Sequence, residues 1–124
     1  MISKAKRHIK DSSKSIVHAF RGVRYAYVSE RNLRTEIAII LVVYSAAILL
    51  DFSYIEYAIV TLASFSVLGA ELLNTAIEES WNKLHPDHHD HVGKIKDIAS
   101  AGVLCFGFGA GIAGLFVFVH HLFF

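Results

Sequence analysis

The chain has 124 residues, of which 54% are hydrophobic, and a formal net charge of only +1. That length suggests one domain over 1–124. The composition is too apolar for an ordinary soluble domain, and the near-neutral charge gives no bulk attraction for nucleic acid, so no nucleic-acid partner is expected. A single cysteine, Cys105, excludes an intrachain disulfide.

Residues 1–32 come first and differ in kind from the rest. Ile9, Ile16, Phe20 and Val23 recur at helical spacing among Lys6, Arg7, Lys10, Lys14, Arg21 and Arg24. This pattern predicts an amphipathic helix lying on a membrane surface, its cations drawn to anionic lipid or phosphate. No apolar core with a small-residue cleavage site follows the basic N-terminus, so a cleaved signal peptide is not expected. Three apolar stretches then follow, at about 33–50, 55–77 and 98–122. Each reaches the roughly 20 residues that cross a hydrocarbon core of about 30 Å. Long apolar runs without two-residue alternation read as helices and not as barrel strands. The expected fold is therefore an all-α membrane protein with one surface helix and three transmembrane helices.

Nine of the twelve Lys and Arg lie in 1–34, and the other three are Lys83, Lys94 and Lys96. The turn at 51–54 has none, and Glu56 beside it adds only an acid. The excess of cations predicts that the N-terminus and the 82–96 loop lie in the cytoplasm, with the 51–54 turn and the C-terminus on the other side. His120 and His121 then fall at the outer end and receive no role.

The second stretch ends in Glu71-Leu72-Leu73-Asn74-Thr75-Ala76-Ile77-Glu78. Ionisable groups at membrane depth are costly and mark functional sites by default. Spacings of three and four place Glu71, Asn74 and Glu78 on one helix face. At 1.5 Å per residue from position 55, Glu71 lies about 24 Å along the helix and Glu78 about 35 Å. Glu71 is thus expected at the inner edge of the hydrocarbon, suited to general-base work, and Glu78 among headgroups. Glu30 and Glu36 flank the start of the first span on the same side. Carboxylates converging from two helices suit Mg²⁺, a hard cation that takes one or two carboxylates plus substrate phosphates. The plainer reading is interfacial pairing with Arg31 or Arg34.

Lys96-Asp97 precedes the third span. Asp97 suits a helix start by about 0.3–1 kcal/mol, and Lys96 suits a phosphate. The loop His85-Pro86-Asp87-His88-His89-Asp90-His91 has no HExxH motif and no cysteine partner for a zinc site, and reads as a polar connection. Gly109-Ala110-Gly111-Ile112-Ala113-Gly114 lies inside a span, not after a soluble strand, so it is no dinucleotide fingerprint. With Gly107 it reads instead as a face for close helix packing.

These residues carry a resemblance over nearly the whole chain. The basic segment Lys14-Ser15-Ile16-Val17-His18-Ala19-Phe20-Arg21-Gly22, then Ser29-Glu30-Arg31-Asn32, the Glu71–Glu78 motif, His88-His89, and Lys96-Asp97 before a small-residue-rich span resemble the prokaryotic diacylglycerol kinase family of small membrane lipid kinases. Glu30-Arg31-Asn32, the central motif and His88-His89 are most similar to its undecaprenol kinase branch. The resemblance implies a homotrimer in the bacterial inner membrane, with active sites shared between subunits, transferring the ATP γ-phosphoryl group to undecaprenol or, alternatively, diacylglycerol. It implies Glu71 as general base with Asn74 beside it. Glu30 and Glu78 would hold Mg²⁺, Lys96, Asp97 and His89 would contact nucleotide, and Glu36 and Arg34 would be secondary members. Asn82 stands where the family usually has Asp. A proton-coupled exporter would place its carboxylate nearer the bilayer midplane, and a purely structural protein would leave these acids without a task.

Overall fold

The computed structural model describes the backbone over residues 2–84 and 90–123, and side chains over 14–84 and 91–123. Four helices account for nearly all of it: α1 (Ile2–Ser29), α2 (Arg31–Leu49), α3 (Tyr54–Leu84) and α4 (Asp90–Phe123). Three are long and apolar enough to cross a membrane: Arg31–Leu49, Tyr54–Leu84 and His91–Phe123. The fold is therefore all-helical with three candidate spans. The helices outrun the apolar stretches. α3 continues through the acid motif to Leu84, and α4 begins near residue 90. At 1.5 Å per residue, α3 is about 46 Å long, well beyond a hydrocarbon core.

The α1–α2 break is one residue wide. Glu30 is extended (φ −104°, ψ 122°) and makes no side-chain cap, although its N–H still donates to Ala26 O at 2.8 Å. The last carbonyls of a helix lack intrahelical donors. Here Ser29 Oγ donates to Tyr25 O at 3.1 Å, and Arg34 Nη1 reaches back from α2 to Tyr27 O (2.9 Å) and Val28 O (3.0 Å). A cation at a helix C-terminus also complements its dipole. Leu33 is buried at this junction, as is Ala26. Burying a leucine contributes about 1.5–3 kcal/mol.

The α2–α3 turn is as tight. Leu50 N–H donates to Ala46 O and Phe52 N–H to Ala47 O, while Asp51 takes a positive φ of 57°, a conformation Asp tolerates better than most. Ser53 and Glu56 then form a capping box. Glu56 N–H donates to Ser53 Oγ at 3.4 Å, and Ser53 N–H donates to Glu56 Oε2 at 2.7 Å, satisfying two otherwise orphaned donors. A small core of Ala47, Phe52, Val60 and Val117 gathers here, with Phe52 edge-on to Phe118 at 5.0 Å. Tyr44 and Thr61 hydroxyls bond at 2.5 Å between α2 and α3.

α3 and α4 pack most extensively, α2 lies against α3, and α1 touches α2 and α3. Among the described residues α2 and α4 do not approach at the backbone. An apolar cleft of about 400 Å³ separates them, with α3 residues Ala63 and Val67 among its lining and Glu36 as its one ionisable wall. Gly107, Gly111 and Gly114 also line it. A Cβ at any of these glycines meets nothing within 4 Å, so within one protomer the glycine face does not serve the close helix packing expected of it. It faces open space because α2 stands off from α4. Leu62, Phe65, Leu104, Phe108 and Phe116 are among many large apolar side chains left exposed, as befits surfaces covered by lipid or by other chains.

Candidate active site

A 3.6-residue period turns Glu71, Asn74, Thr75 and Glu78 toward one side of α3. Glu71 (3% exposed), Asn74 and Thr75 are buried, and Glu78 is half-buried. Buried polar groups demand partners. Asn74 finds two: its Nδ2 donates to Glu78 Oε1 at 3.0 Å, and its Oδ1 accepts from Ser100 Oγ of α4 at 3.5 Å. Asn74 thus holds Glu78 by one end while α4 holds Asn74 by the other.

Glu71 has different company. The Asn32 side chain, in the first turn of α2, hydrogen-bonds to it, and Glu30 and Glu78 lie within electrostatic reach. Glu36, one turn further along α2 than Asn32, also interacts with Glu71. Its Oε2 is buried without a hydrogen-bond partner among the described residues. The one-residue break at Glu30 makes this convergence possible. It swings α2 onto α3 and leaves the Glu30 carboxylate free of capping duty.

Around this centre the remaining predicted residues divide. Lys96 Nζ donates to Asn82 Oδ1, tying the start of α4 to the end of α3. Asp97 is exposed beside it. Arg34 is turned away, its guanidinium occupied by the α1 carbonyls, so the interfacial pairing of Arg34 with Glu30 or Glu36 does not form. His89 lies outside the described residues. Sequence reasoning passed over Asn32 and Ser100 as site members. Ser100 falls three and four residues after Asp97 and Lys96, a helix-face spacing that could have flagged it.

No group of three or more His, Cys, Asp or Glu is gathered for a metal among the described residues. The donor set is instead carboxylate pairs from two helices. That suits a hard divalent ion whose other ligands come from phosphate. Glu30, with its carboxylate unused by the helix start, and Glu78 fit such an ion.

Fold and site together define an integral membrane protein with a buried acid cluster near one end of its spans, next to an apolar cleft. The comparisons sharpen that class. Residues 17–118 match the model of the family described as prokaryotic diacylglycerol kinase. The chain is 35% identical over 109 residues to an undecaprenol kinase of Bacillus subtilis, covering 88% of this chain and 89% of the relative. It is 36% identical over 101 residues to a diacylglycerol kinase of Synechocystis, covering 81% and 58%, and 30% identical over 91 residues to a diacylglycerol kinase of Escherichia coli K12, covering 73% and 75%. The chain belongs to the prokaryotic diacylglycerol kinase family, and it is a membrane lipid kinase.

Proposed function

We propose that this enzyme transfers the γ-phosphoryl group of ATP to the terminal hydroxyl of undecaprenol, giving undecaprenyl phosphate and ADP. The observation that carries this reading is the burial of Glu71 beside Asn32 and three further carboxylates, joined to the 88% coverage by the undecaprenol kinase relative. Phosphoryl transfer asks a protein for positioning and charge stabilisation more than for covalent chemistry. Glu71 takes the hydroxyl proton as that oxygen bonds to the γ-phosphorus, and the bond from the γ-phosphorus to the β,γ-bridging oxygen breaks to release ADP. Asn74 and Ser100 hold Glu78 in place. Glu30 and Glu78 would hold Mg²⁺, which supplies positive charge against the phosphates when bound. Lys96, Asp97 and His89 contact the nucleotide, and Lys96 is steadied by Asn82, which bonds it in place of the family's usual Asp.

The apolar cleft running from Glu36 between α2 and α4 suits a long hydrocarbon chain entering from the bilayer. The basic helix α1 lies on the cytoplasmic face of the inner membrane, and the end of α3 and the start of α4 share that side. Two features support a homotrimer with shared sites: the exposed apolar faces, and the shortage of walls, since three helices cannot enclose both ATP and a lipid headgroup.

Two relatives named diacylglycerol kinase support a second substrate reading. Purified protein with ATP, Mg²⁺ and either lipid alcohol separates them. Faster phosphorylation of undecaprenol is expected, and equal or reversed preference refutes the substrate choice.

A further inference from the structure

The other buried carboxylate of α3 lies at the opposite end of the molecule and takes no part in phosphoryl transfer. Glu56 is 8% exposed. Its Oε1 and Oε2 lie 3.1 and 3.3 Å from His121 Nδ1, and Oε2 also accepts from Ser53 N–H. The other nitrogen of the same ring, Nε2, stands 2.7 Å from Leu50 O at the end of α2. One imidazole thus joins α4, the α2–α3 turn and the first turn of α3. Its ring centroid lies 4.9 Å from that of Phe52, the two rings tilted by 42°.

Both ring nitrogens face acceptors. A backbone carbonyl can only accept, so Nε2 carries hydrogen. The Glu56 carboxylate, itself accepting a backbone N–H, requires hydrogen on Nδ1 as well. A neutral imidazole donates from one nitrogen only, so this geometry is complete only when the ring holds both protons. A cation at the C-terminus of α2 is favoured there too. The other ionisable side chains lining the same pocket are Asp51 on the turn and His120 on α4, with Tyr57 behind Phe52. The C-cap of α2, Leu50, meets the ring through its carbonyl.

We propose that His121 and Glu56 form a proton-dependent latch that clamps the end of α4 to the α2–α3 turn. The latch holds while the ring carries both protons. Rising pH removes one proton, and one of the two contacts is then lost. The clamp therefore weakens as pH rises. On the proposed topology it faces the outside of the cell, on the far side of the membrane from the acid cluster.

The test uses the full chain in nanodiscs, through a double-mutant cycle of Glu56→Gln and His121→Gln read by thermal unfolding. Glutamine preserves the capping box, so Glu56→Gln removes the charge without uncapping α3. At pH 5.5 the two substitutions should be coupled by several degrees in Tm, and by pH 8.5 the coupling should be clearly smaller. No coupling at pH 5.5, or equal coupling at both pH values, overturns the proposal. Should either variant not fold, ¹⁵N spectra of the wild-type His121 ring decide. Two protonated nitrogens at pH 5.5 support the latch, and a single neutral tautomer there refutes it.

Discussion

α3 buries two glutamates fifteen residues apart in sequence, and they live in opposite surroundings. Glu56 is surrounded by donors: a backbone N–H, an imidazole, and an aromatic wall around them. Glu71 has one amide donor in Asn32 and three other acids nearby. Burial of a charge is tolerated when partners compensate it. By that standard Glu56 belongs to the structure. Glu71, Glu30, Glu36 and Glu78 form a cluster that makes no ion pair with Lys or Arg among the described residues. Like-charge crowding costs stability, and proteins keep it where a ligand or a reaction uses it. The contrast supports the proposed chemistry at one end of the bundle and the proposed latch at the other.

Substitutions can break this contrast. The largest effect is expected at Glu71. Glu71→Gln should lower turnover by about 10²–10⁴-fold, the range of a lost general base, while the thermal midpoint stays level or rises because a like charge has left the cluster. Full activity would remove Glu71 as the general base, and a collapse of the fold would make it a structural residue. Next comes Glu78→Gln. Removing one anionic ligand should raise the Mg²⁺ concentration for half-maximal activity on the order of tenfold, the scale of one charge-assisted contact. An unchanged Mg²⁺ titration would detach Glu78 from the ion. The smallest effect is expected at Arg34→Ala, which uncaps α1 and should cost about 1 kcal/mol. Hydrogen exchange should then quicken at residues 25–30 and leave α3 unchanged. Protection at those amides equal to wild type would show that the cap is not needed to hold the junction.

Much of this was legible in sequence because it is local. Hydropathy over about 20 residues is a property of one segment, so the three spans could be counted before any packing was known. Helical spacing of Glu71, Asn74 and Glu78 is also a one-helix property, and the structure keeps them on one side. The helix ends were less legible. α3 and α4 run past their apolar stretches because helix formation continues through polar residues such as Glu78 and Lys94 once the helix is nucleated. The glycines of α4 misled for a related reason. A GxxxG spacing states that a backbone can be approached, not that anything in the same protomer approaches it.

The amino-acid sequence by itself determined the class of molecule: an all-helical membrane chain of the lipid kinase family, with the Glu71–Glu78 motif placed at one end of a span. Only the tertiary structure decided which polar groups meet. His121 reaches Glu56 across 65 positions, Ser100 meets Asn74 across 26, and Lys96 finds Asn82 across 14. The physical reason is that period and hydropathy describe each helix alone. The rotation and relative height of neighbouring helices, which choose these partners, arise from packing between them.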